Sequence, residues 1–152
     1  MRLNKAFRSF TINKVRIIGG THRSRLIEFP DAEGLRPTPD RVRETLFNWL
    51  GQTLHGKRCL DLFAGSGALG FEAASRGAEQ VVMLENNRAV FRSLQENARK
   101  LGLINVALQC ADGLKFAARE TPAFAVIFLE PPSQSDYLPQ LLPLLADKLT
   151  AE

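Results

Sequence analysis

The chain has 152 residues, enough for one domain with a substantial core, and its hydrophobic content of 45% is ordinary for a globular protein. No apolar stretch approaches the ~18 residues that a membrane span needs, and no long apolar segment follows the basic start, as a secretory signal would require. We therefore expect a cytoplasmic protein without membrane association. Cys59 and Cys110 lie in predicted strands without metal-ligand spacing, so we expect two reduced, buried thiols and no metal site.

Charge is divided unevenly along the chain. Residues 1–58 carry 12 Lys and Arg against 5 Asp and Glu, whereas residues 59–152 carry 8 against 11. A basic face that meets nucleic-acid phosphates and a solvated basic tail account for this division equally well. The Arg- and Ser-containing start, which lacks acids, also has the composition of an organelle transit peptide.

The first predicted elements form a short hairpin and a helix. Strands over 15–18 and 22–29 flank the Gly19-Gly20 turn. After a loop containing Gly34, Thr38 is the expected N-cap of a helix that ends at Gly51. Its predicted buried stripe consists of Val42, Leu46, Trp49 and Leu50.

Strand and helix patterns then alternate to the end of the chain. The predicted strands cover 58–63, 80–84, 105–109 and 124–129, and the predicted helices cover 69–76, 87–101, 114–119 and 137–149. Continuous apolar strands separated by helices predict a doubly wound, Rossmann-like α/β sheet. We expect residues 1–37 to form a basic extension with the hairpin and residues 38–152 to form the core domain.

The most informative motif is a glycine loop between the first core strand and the following helix. Residues 61–70 read Asp-Leu-Phe-Ala-Gly-Ser-Gly-Ala-Leu-Gly. Glycines allow a ligand to approach the backbone, and the helix start offers free N–H groups. The same spacing matches a dinucleotide-binding loop, so the loop alone does not identify its ligand.

Acids after three successive strands narrow the choice of ligand. Asp61 precedes the glycines, where a carboxylate repels a pyrophosphate but attracts an ammonium group. Glu85 ends the second strand, where it can accept ribose hydroxyls, and Asp112 is placed to accept from an adenine amino group. The alternative is that Asp61 and Asp112 only cap helices. The three acids together favour adenosine joined to a cationic amino acid.

The glycine loop and the segment 35–50, Leu-Arg-Pro-Thr-Pro-Asp-Arg-Val-Arg-Glu-Thr-Leu-Phe-Asn-Trp-Leu, resemble the bacterial methyltransferases that modify guanine N2 in small-subunit ribosomal RNA. Residues 16–20, with Arg23 and Arg25, are similar to the family's N-terminal hairpin. The resemblance implies a Rossmann-like methyltransferase fold, S-adenosylmethionine as donor, and ribosomal RNA within an assembling 30S particle as acceptor. We expect the chain to act as a monomer.

The resemblance also implies residue roles. The cofactor-binding residues would be Asp61, Ala64, Gly65, Ser66, Gly67, Glu85, Asn86, Asp112 and Gly113. The RNA-binding residues would be Arg16, Arg23, Arg25, Arg36, Thr38, Arg41 and Arg43. The acceptor motif after the fourth strand would be Glu130, Pro131 and Pro132.

The acceptor motif departs from the family pattern of Asp or Asn, two prolines and an aromatic residue. Glu130 is longer by one methylene, and Ser133 removes the aromatic face on which a base would stack, for which Tyr137 is a candidate substitute. The family normally has seven strands, and the core sequence predicts four, so the last strands are expected to be absent. Two alternatives remain open: a catalytically impaired RNA-binding remnant of the family, and a nicotinamide-dependent oxidoreductase built on the glycine loop.

Overall fold

A computed structural model describes residues 13–32, 35–119, 121–131 and 136–150. The predictions for residues 1–12, Gly34, Pro132 and Ser133 therefore lie outside the described residues. No helix in the described ranges is long and apolar enough to cross a membrane.

A four-stranded parallel sheet forms the centre of the fold. Its strands are β3 (Arg58–Asp61), β4 (Gln80–Glu85), β5 (Val106–Cys110) and β6 (Val126–Phe128), in the order β5-β4-β3-β6. The helices that connect them are α2 (Ala68–Ser75), α3 (Arg88–Leu101) and α4 (Gly113–Ala117), and α5 (Tyr137–Ala146) follows β6. This arrangement confirms the predicted Rossmann-like α/β fold, and it brings the carboxyl ends of all four strands to one edge.

Each face of the sheet has its own hydrophobic core. One core contains Cys59, Val81, Met83 and Phe128 with residues of α2 and α3, among them Phe71, Leu94 and Leu101. The other contains Leu60, Leu62, Val82 and Leu84 with Phe116 of α4 and Leu141 and Leu145 of α5. Alternate strand residues point to opposite faces, and because both faces are covered, the middle of a strand such as β4 is apolar on both sides.

The N-terminal hairpin packs on the α2 and α3 side. It consists of β1 (Asn13–Arg16) and β2 (Leu26–Phe29), paired antiparallel, and its inward residues Val15, Ile17, Ile27 and Phe29 join the first core. The turn lies against the end of α2, where a Cβ on Gly20 would stand 1.9 Å from the carbonyl oxygen of Ser75. The hairpin is confirmed, and this contact explains why glycine is needed at the turn.

Helix α1 (Asp40–Leu50) corrects two predictions. Pro39, not Thr38, occupies the N-cap position, and the Thr38 hydroxyl donates to Glu130 instead. The inward residues are Arg43 and Phe47, whereas Val42 and Trp49 are 51% and 80% exposed. Of the predicted stripe, Leu46 and Leu50 do pack against the core, but Val42 and Trp49 do not. The stripe was partly wrong because the buried face of this helix centres on a charged residue, which hydrophobic periodicity does not detect.

A buried ion network ties α1, α2 and the hairpin together. Glu72 of α2 is fully buried and accepts hydrogen bonds from Arg43 at 3.1 Å and Arg76 at 2.9 Å. It also accepts from the backbone N–H groups of Ile18 and Gly19. One carboxylate thus fixes the hairpin turn and α1 onto α2.

Other local predictions have mixed outcomes. Asn87 caps α3, since its side chain accepts from the N–H groups of Ala89 and Val90. Both cysteines are free thiols, but only Cys59 is buried. The expected burial of Cys110 was wrong because this residue ends β5 at the outer strand of the sheet, where it is exposed.

Candidate active site

Four acidic residues lie at the carboxyl edge of the sheet. Asp61 ends β3, Glu85 ends β4, Asp112 follows β5, and Glu130 follows β6. Because β4 and β6 both pair with β3, the acids after these strands flank Asp61 on either side. The edge therefore concentrates negative charge around one carboxylate.

The glycine loop joins β3 to α2 at this edge. Gly65 and Gly67 have φ angles of +54° and +89°, and Gly67 immediately precedes the first residue of α2. A Cβ on Gly67 would lie 2.4 Å from the Phe71 ring, so no larger residue fits there. Ala64 is anchored by its N–H to the Leu84 carbonyl at 2.8 Å, and the Ser66 hydroxyl accepts from the Ala68 N–H.

Asp61 is the most perturbed group of the site. It is 2% exposed, and within the described part of the chain its Oδ2 has no hydrogen-bond partner. Burial, together with the charges of Glu130 and Glu85, raises the pKa of Asp61 to about 7, although N–H groups of Gly70 and Phe63 oppose the rise. A buried carboxylate oxygen without a partner is costly, and a cationic ligand would offset that cost. Gly67, and not Asp61, is the N-cap residue of α2, but Asp61 receives the N–H of Gly70 in the first turn of that helix.

Glu85 and Asp112 are held by backbone groups. Glu85 accepts from the Gly65 N–H through Oε1 and from the Asn87 N–H through Oε2, both at 3.0 Å. Carboxylate oxygens have two lone pairs each, so Glu85 keeps capacity for hydroxyl donors. Asp112 caps α4 by accepting from the Leu114 N–H at 2.8 Å, as the capping alternative predicted.

The remaining residues predicted to bind the cofactor adjoin these acids. Asn86 is exposed directly after Glu85, and Gly113 is the first residue of α4. A Cβ on Gly113 would lie 2.8 Å from the Leu62 carbonyl oxygen, so the backbone at this point passes close to the loop after β3. The donor set fits S-adenosylmethionine: an unpartnered buried carboxylate suits the ammonium, Glu85 suits ribose hydroxyls, and the glycines leave room for the chain between them.

The acceptor motif lies beside the glycine loop. The Thr38 hydroxyl donates to Glu130 Oε1 at 2.6 Å, although the two residues are 92 positions apart. The Tyr137 ring stacks on Phe63, with centroids 5.7 Å apart and planes inclined by 18°. Phe63 belongs to the loop after β3, so an aromatic surface borders this edge of the sheet.

A basic groove of about 380 Å³ adjoins the Thr38 segment. It is lined by Lys14, Val15, Arg16, Leu26, Pro37, Thr38, Pro39 and Asp40. Arg36 and Arg41, close to Thr38 in sequence, are exposed and carry the positive charge beyond the groove. Lys14 was missed by the sequence-based assignment of RNA contacts, because only its place on β1 shows that it faces this groove.

The residues predicted to contact RNA lie in two parts of the surface, apart from Arg43, which is buried. Arg23 and Arg25 are exposed at the hairpin turn, which lies at the C-terminal end of α2, whereas Arg16, Arg36, Thr38 and Arg41 lie near the acceptor motif. Arg25 also donates to the Lys100 carbonyl oxygen.

Arg43 is the exception, and its predicted RNA contact was wrong. The side chain is 0% exposed and donates to the carbonyl oxygens of Thr38 and Arg16 and to the carboxylates of Glu72 and Asp40. These bonds occupy the guanidinium inside the protein. Glu72, its buried partner, was missed because an acid inside a predicted helix gives no sign of burial.

Known proteins resemble this chain in sequence and in fold. The family described as Conserved hypothetical protein 95 matches residues 15–151. The Ribosomal RNA small subunit methyltransferase D of Escherichia coli K12 is 43% identical over 134 residues, covering 88% of this chain and 68% of its own length.

Two solved structures are also similar. Escherichia coli yhhF superposes with a TM-score of 0.82 at 39% identity, covering 90% of this chain and 74% of its own. A Thermus thermophilus 16S rRNA N2 methyltransferase in complex with AdoMet and guanosine superposes with a TM-score of 0.71 at 25% identity, covering 92% and 39%.

The fold and the site define a Rossmann-like, S-adenosylmethionine-dependent methyltransferase. The chain belongs to the family of the ribosomal RNA small subunit methyltransferases D. The nicotinamide-dependent alternative is therefore set aside.

Two other kinds of chemistry find no support in the described residues. They contain no group of three or more His, Cys, Asp or Glu arranged to hold a metal ion. Burial raises the pKa of Cys59 to about 11, which disfavours a nucleophilic thiolate there.

Proposed function

We propose that this protein transfers a methyl group from S-adenosylmethionine to the exocyclic N2 amine of a guanine in small-subunit ribosomal RNA. The observation that carries this proposal is the pairing of β6 with β3, which puts Glu130 close enough to Asp61 for its charge to raise the pKa of Asp61. A hydrogen-bond acceptor for the base and a carboxylate for the cofactor thus share one edge. The 16S rRNA N2 specificity of the Thermus relative supports the choice of base.

The chemistry requires acceptors for the amine hydrogens. The lone pair of an exocyclic amine is delocalised into the ring, and acceptors on its N–H bonds favour its localisation on nitrogen. Glu130 supplies one acceptor, and the carbonyl oxygen of Pro131 is suited to supply a second. The cofactor supplies a methyl group on a positively charged sulfur. As the N–C bond forms and the C–S bond breaks, the amine loses one proton to water or to Glu130.

The basic groove gives this reaction a route for the RNA. Lys14 and Arg16 line it, and Thr38 belongs both to the groove and to the contact with Glu130. Cations along one groove bind phosphates without reading sequence, and they position a base at the adjacent site. We therefore propose that nucleotides flanking the target guanine cross this groove, in a cytoplasmic, assembling 30S particle.

The test is transfer of a labelled methyl group to defined RNA. The chain is incubated with S-adenosylmethionine and either 30S particles reassembled from unmodified 16S transcript or the free transcript, and the RNA is digested for nucleoside mass spectrometry. We expect N2-methylguanosine, and we expect Glu130→Ala, which removes the side-chain acceptor, to lower the rate about 100-fold, with affinity for S-adenosylhomocysteine unchanged at about pH 8, where Asp61 is mostly ionised. Glu79→Ala, at an exposed acid that precedes β4 at the opposite edge, is the matched control.

The result separates the proposal from its alternatives. A methylated nucleoside other than N2-methylguanosine contradicts the proposed base. Salt-sensitive RNA binding without any transfer would instead establish the RNA-binding remnant.

A further inference from the structure

Thr38 makes a contact that its sequence position does not explain. It immediately precedes the N-cap residue of α1, yet its hydroxyl donates to Glu130 Oε1 at 2.6 Å. A bond of that length between a hydroxyl and a carboxylate is charge-assisted and therefore strong. It joins the Arg36–Arg43 segment directly to the acceptor motif.

Thr38 is held firmly enough to act as a fixed donor. Its carbonyl oxygen accepts from Arg43 Nε at 3.0 Å. Arg43 is fully buried and is itself fixed by Glu72 at 3.1 Å and by the Arg16 carbonyl at 2.8 Å. The buried ion network thus fixes the backbone of Thr38, from which the hydroxyl reaches Glu130.

Glu130 needs such a donor more than a shorter acid would. Its side chain is exposed and has one more rotatable bond than Asp, so an unrestrained carboxylate would sample several positions. It also faces the carboxylate of Asp61, which shares the same edge. A hydroxyl held in place beside Glu130 would restrict the rotation of its side chain and offset its repulsion by the Asp61 carboxylate.

We infer that Thr38 is a positioning residue for methyl transfer: its hydroxyl holds one oxygen of Glu130 and leaves Oε2 to accept an N–H bond of the target amine. This role rests on the proposed function. It accounts for how a side chain one methylene longer than Asp reaches a usable position at the end of β6.

The experiment compares two substitutions in two backgrounds. Thr38→Val keeps the branched shape and removes the hydroxyl, whereas Thr38→Ser keeps the hydroxyl. We expect Thr38→Val to lower kcat about 10- to 100-fold, as loss of a charge-assisted bond allows, with unchanged affinity for S-adenosylhomocysteine. Thr38→Ser should stay within about twofold of the wild type. In a Glu130→Asp background the carboxylate no longer reaches Thr38, so Thr38→Val should change kcat less than about twofold.

A second readout does not depend on turnover. The carboxyl ¹³C signal of Glu130, recorded by NMR on the whole chain at fixed pH, should move in Thr38→Val and stay in Thr38→Ser. The signal of the exposed Glu79 is the internal reference.

The outcomes are distinct. Wild-type kcat in Thr38→Val, equal loss in Thr38→Ser, or the same loss in both backgrounds overturns the positioning role while the proposed function stands. An unmoved Glu130 signal in Thr38→Val overturns it as well. A wild-type chain that methylates no guanine overturns the proposed function, and the positioning role with it.

Discussion

We expect Asp61 to couple cofactor binding to pH. Burial and the neighbouring acids raise its pKa to about 7, so near neutrality a large part of the free protein carries a protonated carboxyl. We propose that the ammonium of the cofactor binds the ionised form. We expect the affinity for S-adenosylhomocysteine to rise about tenfold between about pH 6 and pH 8, as measured by calorimetric titration, and Asp61→Asn to abolish both this dependence and most of the affinity.

The same residue should lower the stability of the free protein. Its folded pKa of about 7 lies above the ordinary value of 3.8, so the folded state holds the proton more tightly and loses stability as pH rises between these values. Asp61→Asn should therefore melt higher than the wild type at about pH 8. Glu130→Gln should move the midpoint of the affinity curve to lower pH, because the charge of Glu130 raises the pKa of Asp61. If the affinity of the wild type for S-adenosylhomocysteine did not change with pH, the proposed contact between ionised Asp61 and the cofactor ammonium would be contradicted.

Residue positions were predictable where the topology alone fixes them. Asp61 and Glu85 follow directly from strand ends, since parallel strands bring their carboxyl ends to one edge. The RNA contact predicted for Arg43 and the N-cap role predicted for Thr38 were wrong because their partners, Glu72 and Glu130, are 29 and 92 positions away. A motif shows which residues stand together in sequence but not which of them turn inward.

At the scale of elements, α1 carries two arginines with opposite roles. Arg43 is buried in the network with Glu72, and Arg41, two residues earlier on the same helix, is exposed. Arg43→Met should lower the free energy of unfolding by about 3–5 kcal/mol, because it leaves a buried carboxylate short of a partner. Urea denaturation measures this loss, and Arg41→Met, expected within about 0.5 kcal/mol of the wild type, is the matched control.

The affinity for RNA should show the reverse order: the exposed Arg41 should matter for RNA binding and the buried Arg43 should not. Arg41→Met should weaken binding of a small-subunit RNA fragment, while folded Arg43→Met should bind it normally. Equal stability of the two variants would show that the network contributes nothing.

The glycine loop sets the geometry between β3 and α2. Gly67 has a φ of +89°, and a Cβ there would lie 2.4 Å from Phe71 and 2.8 Å from Leu94, both fully buried. Gly67→Ala should therefore cost clearly more stability than the backbone strain of about 1–2 kcal/mol, and it should weaken cofactor binding. Gly102→Ala is the control, since its φ is +64° but a Cβ would meet no described atom within 4 Å.

Thermal unfolding and calorimetric titration of both alanine variants check this expectation. Equal losses of stability would mean that strain alone, and not the contact with Phe71, requires glycine at position 67. Unchanged cofactor affinity in a folded Gly67→Ala would remove the loop from the binding site.

The order of elements was predictable to within a few residues, whereas the inward face of α1 was not. Strands such as β4 are apolar on both faces, so their sequence predicts them whatever they pack against. Helix α1 buries Arg43 and Phe47 and leaves Trp49 exposed, a choice that depends on Glu72 of another helix. Hydrophobic periodicity carries no information about such a partner.

At the scale of the whole molecule, the basic groove and the acidic edge lie in different parts of the fold. The hairpin packs on the α2 and α3 side through Ile17 and Ile27, while α4 and α5 cover the opposite face. The basic groove opens beside the hairpin, and the carboxylates gather at the edge of the sheet. The positive half of the sequence therefore contributes the groove proposed to bind RNA, and the negative half contributes the edge proposed to bind the cofactor.

This division predicts how RNA binding responds to salt. Each phosphate contact contributes about 0.7–0.9 to the slope of log affinity against log salt. Arg16→Gln in the groove and Arg23→Gln at the hairpin turn should each lower the slope by about that amount if the RNA extends from the acceptor motif to the turn. Fluorescence titration of a small-subunit RNA fragment at several salt concentrations measures the slope.

The matched control lies on the other side of the sheet. Arg119 is exposed just after α4, whose Phe116 belongs to the opposite core, so Arg119→Gln should leave the slope unchanged. A lower slope for Arg16→Gln alone would confine the RNA to the groove, because the turn contacts the far end of α2. Equal effects of all three substitutions would mean that the positive charge acts through the net charge of the protein and not through a defined surface.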